Sequence, residues 1–316
     1  MNHTNTMKLS VIVPCLNAEA TIALQLEALA SQQWSEPWEL IVADNGSTDK
    51  SVEIAATYSD RFACFRIIHA PARKTSSHPR NVAACAATAD NLAFCDADDE
   101  VAPGWVAALG SALASHDIVH GRYLFDKFNE PASAAKAAQG WKDGLYTGRF
   151  LPGAATANCG IKRWIHQAIG GFDENLPRFV DADYFWRLQL EGFDLQYVPD
   201  AVVQYRIARV NPSLSSMYHR HRKGTLSEDW SYQRYRHLGM RPPKPWRSLL
   251  GSWFGVLKRS ASRELLTRQN RQALYEQLFT TTGEIVGHLQ VKLSAPRQPY
   301  IPGSVCQPRI LHEPLK

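Results

Sequence analysis

The feature that most restricts the fold is a rhythm in the first hundred residues. Four short apolar runs, at 8–13 (KLSVIV), 39–43 (ELIVA), 65–69 (FRIIH) and 91–95 (NLAFC), alternate with helix-like stretches at 21–32, 50–58 and 80–89. Runs of this length, rich in β-branched residues and bounded by Pro, Gly, Asn or Asp, read as buried strands. Between them Ile22, Leu26 and Leu29 recur at helical spacing. Strands and helices in this alternation build right-handed βαβ units, so the expected class is α/β with a mainly parallel sheet flanked by helices. The ligand crevice of such a sheet lies outside the carboxyl ends of its strands. Pro14, Asp44 and Asp96 each stand just past one of those ends.

Two familiar nucleotide sites are absent from that edge. No Gly-x-Gly-x-x-Gly follows the first strand and no GxxxxGK[ST] occurs, which argues against a dinucleotide Rossmann site and against a P-loop enzyme. Charge is divided unevenly along the 316 residues. Residues 1–205 carry 16 Lys/Arg against 24 Asp/Glu, and residues 206–316 carry 19 against 6. An acidic first part suits a site that holds a cation, and a basic last third suits an anionic partner such as a phosphate-bearing acceptor or a membrane surface. The six cysteines are scattered, without metal-ligand spacing, as expected of reduced thiols. The N-terminus lacks a signal-peptide apolar region and no stretch reaches the length of a spanning helix, so the expected location is cytoplasmic, with the inner face of the membrane within reach.

Five strings occur in order: VIVPCLNAEATI (11–22), LIVADNGSTDKS (40–51), RNVAACAATADNLAFCDADD (80–99), GGFDE (170–174) and VDADYFWRLQLEG (180–192). In this order and spacing they make residues 7–206 resemble the family 2 glycosyltransferases, whose catalytic domain has the glycosyltransferase A fold. The resemblance implies transfer of a sugar from a nucleoside diphosphate sugar to an acceptor hydroxyl with inversion, of the kind used in cell-surface polysaccharide assembly, with no nucleic acid involved. It further implies a bound Mn²⁺ or Mg²⁺. Such hard ions take oxygen ligands and bind substrate phosphates with few protein carboxylates. In the triplet Asp96-Ala97-Asp98, Asp98 is then the expected direct ligand, Asp96 contacts the ribose or the ion's water shell, and Asp99 is a secondary candidate.

The same resemblance distributes the other roles. Pro14, Asn17 and Glu19 line one wall of the nucleotide cleft. Asp44 accepts the N3–H of a uracil or thymine ring, which favours a uridine diphosphate donor; its alternative is a plain Asx-turn. The family's second acid at this place is the amide Asn45 here. Arg80 opens a helix whose N-terminus favours anions, so it calls for a diphosphate or an acidic side chain alongside. The family's Glu-Asp pair stands six residues before an Arg. Counting back from Arg187 reaches Asp181, the expected general base, preceded by Val180. Asp183 is the rival, because alternate residues share a face if this segment is extended. His219 and His221 lie in a basic cluster that in relatives closes over the diphosphate; a solvated basic face accounts for them equally well.

The expected organisation is an N-terminal tail over 1–7, a catalytic domain over 8–206 (nucleotide half 8–100, acceptor half 101–206), a closing segment and linker over 207–245 marked by RPPKP, and a helical extension and tail over 246–316. Within the extension Trp246, Leu249, Leu250, Trp253, Phe254 and Leu257 form an apolar stripe flanked by Arg247, Lys258 and Arg259. Such a stripe most often packs internally or onto a second copy of the chain, giving a homodimer, and otherwise lies on an anionic membrane. The acceptor, whether carbohydrate, lipid-linked or protein, is not marked by any motif. Two other classes compete with the transferase. A sugar-nucleotide nucleotidyltransferase requires a Gly-rich loop after the first strand, which PCLNAEAT lacks, and a non-catalytic sugar-nucleotide-binding module is expected to have lost the aspartates that are present here.

Overall fold

The computed structural model describes residues 6–207, 213–260 and 268–303. Two compact units are distinguished: residues 1–174, 181–207 and 302–316 form one, and residues 175–180 and 208–301 the other. The first runs β1 (Leu9–Cys15), α1 (Ile22–Ala30), β2 (Trp38–Asp44), α2 (Ser51–Ala56), β3 (Phe65–His69), α3 (Ser77–Ala86), β4 (Asn91–Cys95), β5 (Glu100–Val101), α4 (Trp105–Ala112), β6 (Ile118–Leu124) and α5 (Pro131–Ala138). It continues through β7 (Trp141–Lys142), β8 (Leu145–Thr147), β9 (Pro152–Gly153), β10 (Asn158–Lys162), α6 (Arg163–Ala168), α7 (Val180–Leu190) and β11 (Gln196–Gln204). The second unit holds α8 (Leu214–Tyr235), α9 (Trp246–Ser260) and α10 (Arg268–Leu293).

Eight strands form one sheet in the order β3-β2-β1-β4-β10-β6-β11-β5, and β7-β8-β9 make a small separate meander. The β3-β2-β1-β4 half is parallel, with Ile12 opposite both Ile41 and Phe94. Its central strands are buried on both faces, which is why their sequences are nearly continuous apolar runs. β10 enters antiparallel between β4 and β6. The sheet is thus mainly parallel, flanked by helices, as the α/β reading requires. β1 runs one residue past Pro14, which pairs with Ala43 of β2. Pairing with β4 has already stopped at Ile12. A residue without an N–H sits where it interrupts no ladder on that side.

At the opposite, amino end of the strands Glu39 is fully buried. Its carboxylate accepts from Ser10 Oγ (2.6 Å), Thr88 N (2.6 Å) and Oγ1 (2.7 Å), and Arg66 Nη2 (2.6 Å). Burial opposes its charge, yet these bonds hold its pKa below the ordinary value. In the C-terminal unit α8 is a 22-residue helix, capped by Ser213 accepting from Ser216 N. Gly283 and Gly287 of α10 lie against it; a Cβ there would come within 2.5 Å of Tyr218 O and 2.7 Å of Arg222 O. RPPKP (241–245) has no regular structure, and residues 1–5, 208–212, 261–267 and 304–316, Cys306 among them, lie outside the described residues. Cys15, Cys64, Cys85, Cys95 and Cys159 are free.

Candidate active site

The loops that leave β1 and β2 are laced together. Asn17 Oδ1 accepts from Thr48 N at 2.8 Å, and Asn17 N donates to Ser47 Oγ at 3.0 Å. Glu19 Oε2 accepts from Lys50 N, and Glu19 N donates to Asp49 Oδ2, both at 3.1 Å. Asn17 takes a φ of 50°, a left-handed conformation that Asn tolerates better than most residues. Pro14, Asn17, Glu19 and Asp44 therefore meet at one wall of the carboxyl edge. Asp44 forms the Asx-turn, accepting from Gly46 N (3.2 Å) and Ser47 N (3.0 Å), with His69 Nδ1 at 3.2 Å. Burial raises its pKa, but the bonds from Ser47, His69 and Gly46 prevail, so it is an ionised acceptor below the usual carboxylate range. Asn45 Nδ2 donates to Thr75 O at 3.0 Å. An acid at 45 has no proton for that bond, so the departure from two acids to Asp-Asn has a local structural use.

Asp96, Asp98 and Asp99 follow β4 and bring one carboxylate oxygen each within 4.8 Å of one another. Asp98 is exposed, Asp96 half-buried and Asp99 buried. Asp99 Oδ1 accepts from Arg206 N at 2.7 Å, while its Oδ2 is buried without a hydrogen-bond partner. Burial, then the neighbouring Asp96 charge, push Asp99 up to about 9 and raise Asp98 as well. Arg206 Nε donates to Asp98 O at 2.8 Å and its guanidinium lies 4.0 Å from the Phe128 ring centroid.

Arg80, on α3, is buried between this cluster and α7. One guanidinium nitrogen is ion-paired with Asp96 and another donates to Ser76 O at 2.8 Å. Burial works against its charge, which Asp96 and Asp181 together sustain. The acid that an arginine at this place calls for is thus supplied by the chain itself.

α7 presents its two aspartates to different surroundings. Asp181, in the first turn, accepts from Thr156 Oγ1 at 3.0 Å. Burial raises its pKa above the ordinary carboxylate value; Arg80 pulls it down and Asp96 adds to the rise. Asp183 is fully buried and accepts from Arg187 Nε at 2.8 Å. Arg187 also donates to Ile169 O and Gly171 O, each at 2.7 Å. The turn it grips contains Gly170 and Gly171 at φ of 78° and 64°. Asn81 clasps the same turn, donating to Phe172 O and Glu174 Oε1 and accepting from Phe172 N, all at 2.9 Å.

Asp44, Arg80, Asp96, Asp98, Asp99 and Asp181 thus belong to one carboxyl-edge region of the N-terminal unit, whereas His219 and His221 lie on α8 of the other unit. There His221 Nδ1 is 3.2 Å from Glu284 Oε1 and His219 packs beside Tyr218. Sequence reasoning passed over Thr156, Arg206 and Tyr205. Tyr205 is half-buried, its pKa raised by burial and by the charges of Asp96, Asp99, Asp181 and Asp98 together. None of the three carries a motif; each reaches the site across at least 24 residues of chain, and only the fold brings it there.

Residues 10–167 match the model of glycosyl transferase family 2. The chain is 29% identical over 251 residues to the uncharacterized glycosyltransferase YibD of Escherichia coli K12, covering 74% of this chain and 69% of that one. It is 33% identical over 109 residues to validoxylamine A glucosyltransferase of Streptomyces hygroscopicus subsp. limoneus, covering 34% of this chain and 23% of that one. Similar folds include the mannosyltransferase PcManGT of Pyrobaculum calidifontis in complex with GDP-Man and Mn²⁺, at a TM-score of 0.57 and 16% identity over 90% of this chain and 87% of that one. S. aureus TarS 1–349 in complex with UDP aligns at a TM-score of 0.52 and 17% identity over 93% and 94% of the two chains. The chain spans about half of the longer TarS chain, 47%. With the family model covering half of its length, the α/β sheet and the acidic carboxyl edge belong to a member of glycosyl transferase family 2, and the chain is a glycosyltransferase.

Proposed function

We propose that this glycosyltransferase moves a sugar from a uridine diphosphate donor to an acceptor hydroxyl by a metal-dependent, inverting single displacement. The observation that carries the reading is the Asp96, Asp98 and Asp99 cluster, with Arg80 set between it and Asp181. Three carboxylates this close repel one another, and Asp99 Oδ2 is buried with no donor to satisfy it. Such a set of hard oxygen atoms fits a Mg²⁺ or Mn²⁺ ion. Asp98, exposed at the crevice, would hold it directly, and Asp96 would reach its water shell or the ribose. When bound, the ion neutralises charge that builds on the departing diphosphate.

The remaining roles fall to the chain. Asp44, ionised in its turn, has the character needed to accept a uracil N3–H. Asp181 takes the acceptor hydroxyl's proton; burial raises its pKa, which makes it a stronger base than an ordinary aspartate, and the Arg80 charge opposes that rise. The Thr156 hydroxyl, donating to Asp181, fixes the orientation of that carboxylate.

A thermal-shift screen of the full chain tests donor and metal together. UDP with Mn²⁺ is expected to raise the melting temperature more than UDP with chelator or GDP with Mn²⁺, because a ligand bound only by the native state stabilises it by mass action. Asp98→Ala should abolish the Mn²⁺-dependent part and sugar transfer, with the unliganded melting temperature unchanged because the side chain is exposed. Full transfer by that variant, or in excess chelator, overturns the metal assignment. Tight GDP and weak UDP binding overturns the role given to Asp44.

A further inference from the structure

Helix α9 carries a wider apolar arc than its neighbour covers. Leu249, Trp253 and Val256 form one edge of the arc, turned toward α10: Leu249 and Val256 are buried, and Trp253 Nε1 donates to Thr282 Oγ1 at 3.0 Å. At about 100° per residue, Leu257, Leu250 and Phe254 continue the arc by roughly another quarter turn. Among the described residues that continuation is only partly covered: Leu250 is half-buried, Leu257 is 36% and Phe254 61% exposed. Arg247 and Lys258, both exposed, come next around the helix. The sequence of apolar edge and then basic border is that of a helix lying in a bilayer interface, where apolar side chains enter the acyl boundary and long basic ones reach back to lipid phosphates.

We propose that the C-terminal unit docks onto an anionic lipid bilayer through this edge of α9. The helix has 15 residues, and no helix among the described residues is long and apolar enough to cross a membrane, so the contact is one of surface insertion. Exposed apolar surface is concentrated in this unit. Of ten large hydrophobics exposed among the described residues, seven belong to it. The charge of the unit selects the partner. Residues 208–301 hold 16 Lys/Arg against 5 Asp/Glu, and Trp246–Ser260 has no acidic residue. Pairing two copies through this edge by a two-fold axis would set Arg247 and Lys258 of each copy against like charges of the other. An anionic bilayer supplies the opposite charge. The inference is independent of the donor, metal and base proposed for the N-terminal unit.

Flotation of the full chain with phosphatidylglycerol–phosphatidylcholine vesicles and with pure phosphatidylcholine vesicles at low salt tests it. The chain should float with the anionic vesicles alone and be released by high salt. A basic side chain near such a surface contributes about fivefold to partitioning, so Arg247→Gln/Lys258→Gln should bind roughly 30-fold more weakly. Phe254→Ser should weaken binding as well. All three side chains are exposed, so the melting temperature serves as the control for folding. The proposal is overturned if the full chain does not float with anionic vesicles at low salt, or if both variants float as the parent does. A parent that elutes as a dimer and a Phe254→Ser variant that elutes as a monomer would give the edge to a second copy and overturn it equally.

Discussion

Two positions along an α-helix rotate a side chain by about 200°. Asp181 and Asp183 share α7, so they face opposite sides of it, and their surroundings give them separable consequences. Asp181 touches Thr156 and feels Arg80 and Asp96; Asp183 is enclosed with Arg187, which in turn holds the carbonyls of Ile169 and Gly171. Asp181→Asn keeps shape and removes basicity. Turnover should fall by about 10²–10⁴, the usual worth of a general base, with UDP affinity and melting temperature nearly unchanged. Asp183→Asn leaves a buried guanidinium without its counter-charge, a change of the kind that costs about 3–5 kcal/mol, so it should lower the urea midpoint sharply. Comparing turnover per folded molecule with the unfolding midpoint separates the two. If Asp183→Asn folds normally and is inactive while Asp181→Asn turns over, the roles are exchanged. Retention of the donor's anomeric configuration in the product would overturn direct displacement whichever aspartate is the base.

At the scale of elements, the four parallel strands were legible because strands buried on both faces leave an unbroken apolar run, as in β1, where Leu9, Val11, Ile12 and Val13 are all buried. β10 left no such mark. It opens with Asn158, buried for a structural reason: its amide donates to Arg122 O (3.0 Å) and Ala201 O (2.9 Å) and accepts from Trp105 Nε1 (2.8 Å). These bonds sit where the β6–β11 register shifts between Val198 and Val202, so a side chain satisfies backbone groups that the ladder leaves over. Gly121 is the partner of that device. A Cβ there would lie 2.1 Å from Ala201 O and 2.5 Å from the Asn158 amide. Gly121→Ala should therefore destabilise the N-terminal unit by about 1–3 kcal/mol, the usual penalty of overpacking, read as a lower denaturant midpoint. A midpoint unchanged within error would mean the strands can part there freely. α8 was illegible for a different reason. What it buries is Leu226, Ser227, Ser231 and Tyr235, half of it serine, so no apolar period announces a helix. Its neighbour α10 approaches through glycines, which a hydrophobic pattern does not register.

Across the whole molecule, the site was readable where chemistry lies in contiguous strings, as in Asp96-Ala97-Asp98-Asp99, and unreadable where it depends on long-range approach, as with Thr156, Arg206 and Tyr205. The same long-range packing makes stability depend on pH. His166 of α6 is buried among Phe94, Phe172 and Tyr184, with its Nδ1 2.8 Å from the Tyr184 hydroxyl. Burial, helped by the Arg187 charge, lowers its pKa to about 3. In the unfolded chain it titrates near the ordinary 6.5. Between those values the unfolded state holds a proton that the folded state lacks, so stability rises with pH across the window and is lost as pH falls from 6.5 toward 3. One such proton is worth about 1.4 kcal/mol per pH unit. Asp99 and Asp181 act with the opposite sign, because their raised pKa values let the folded state bind protons that the unfolded state has released. The net curve therefore mixes both, and the histidine is isolated by difference. His166→Gln replaces the imidazole with a group that does not titrate. Urea unfolding followed by tryptophan fluorescence from pH 6.5 to pH 4, in chelator, should show the parent losing about 1.4 kcal/mol more per pH unit than the variant. Parallel curves for the two proteins would mean that His166 takes up its proton in the folded state near its ordinary pKa, and that the aromatic cage does not exclude the charge.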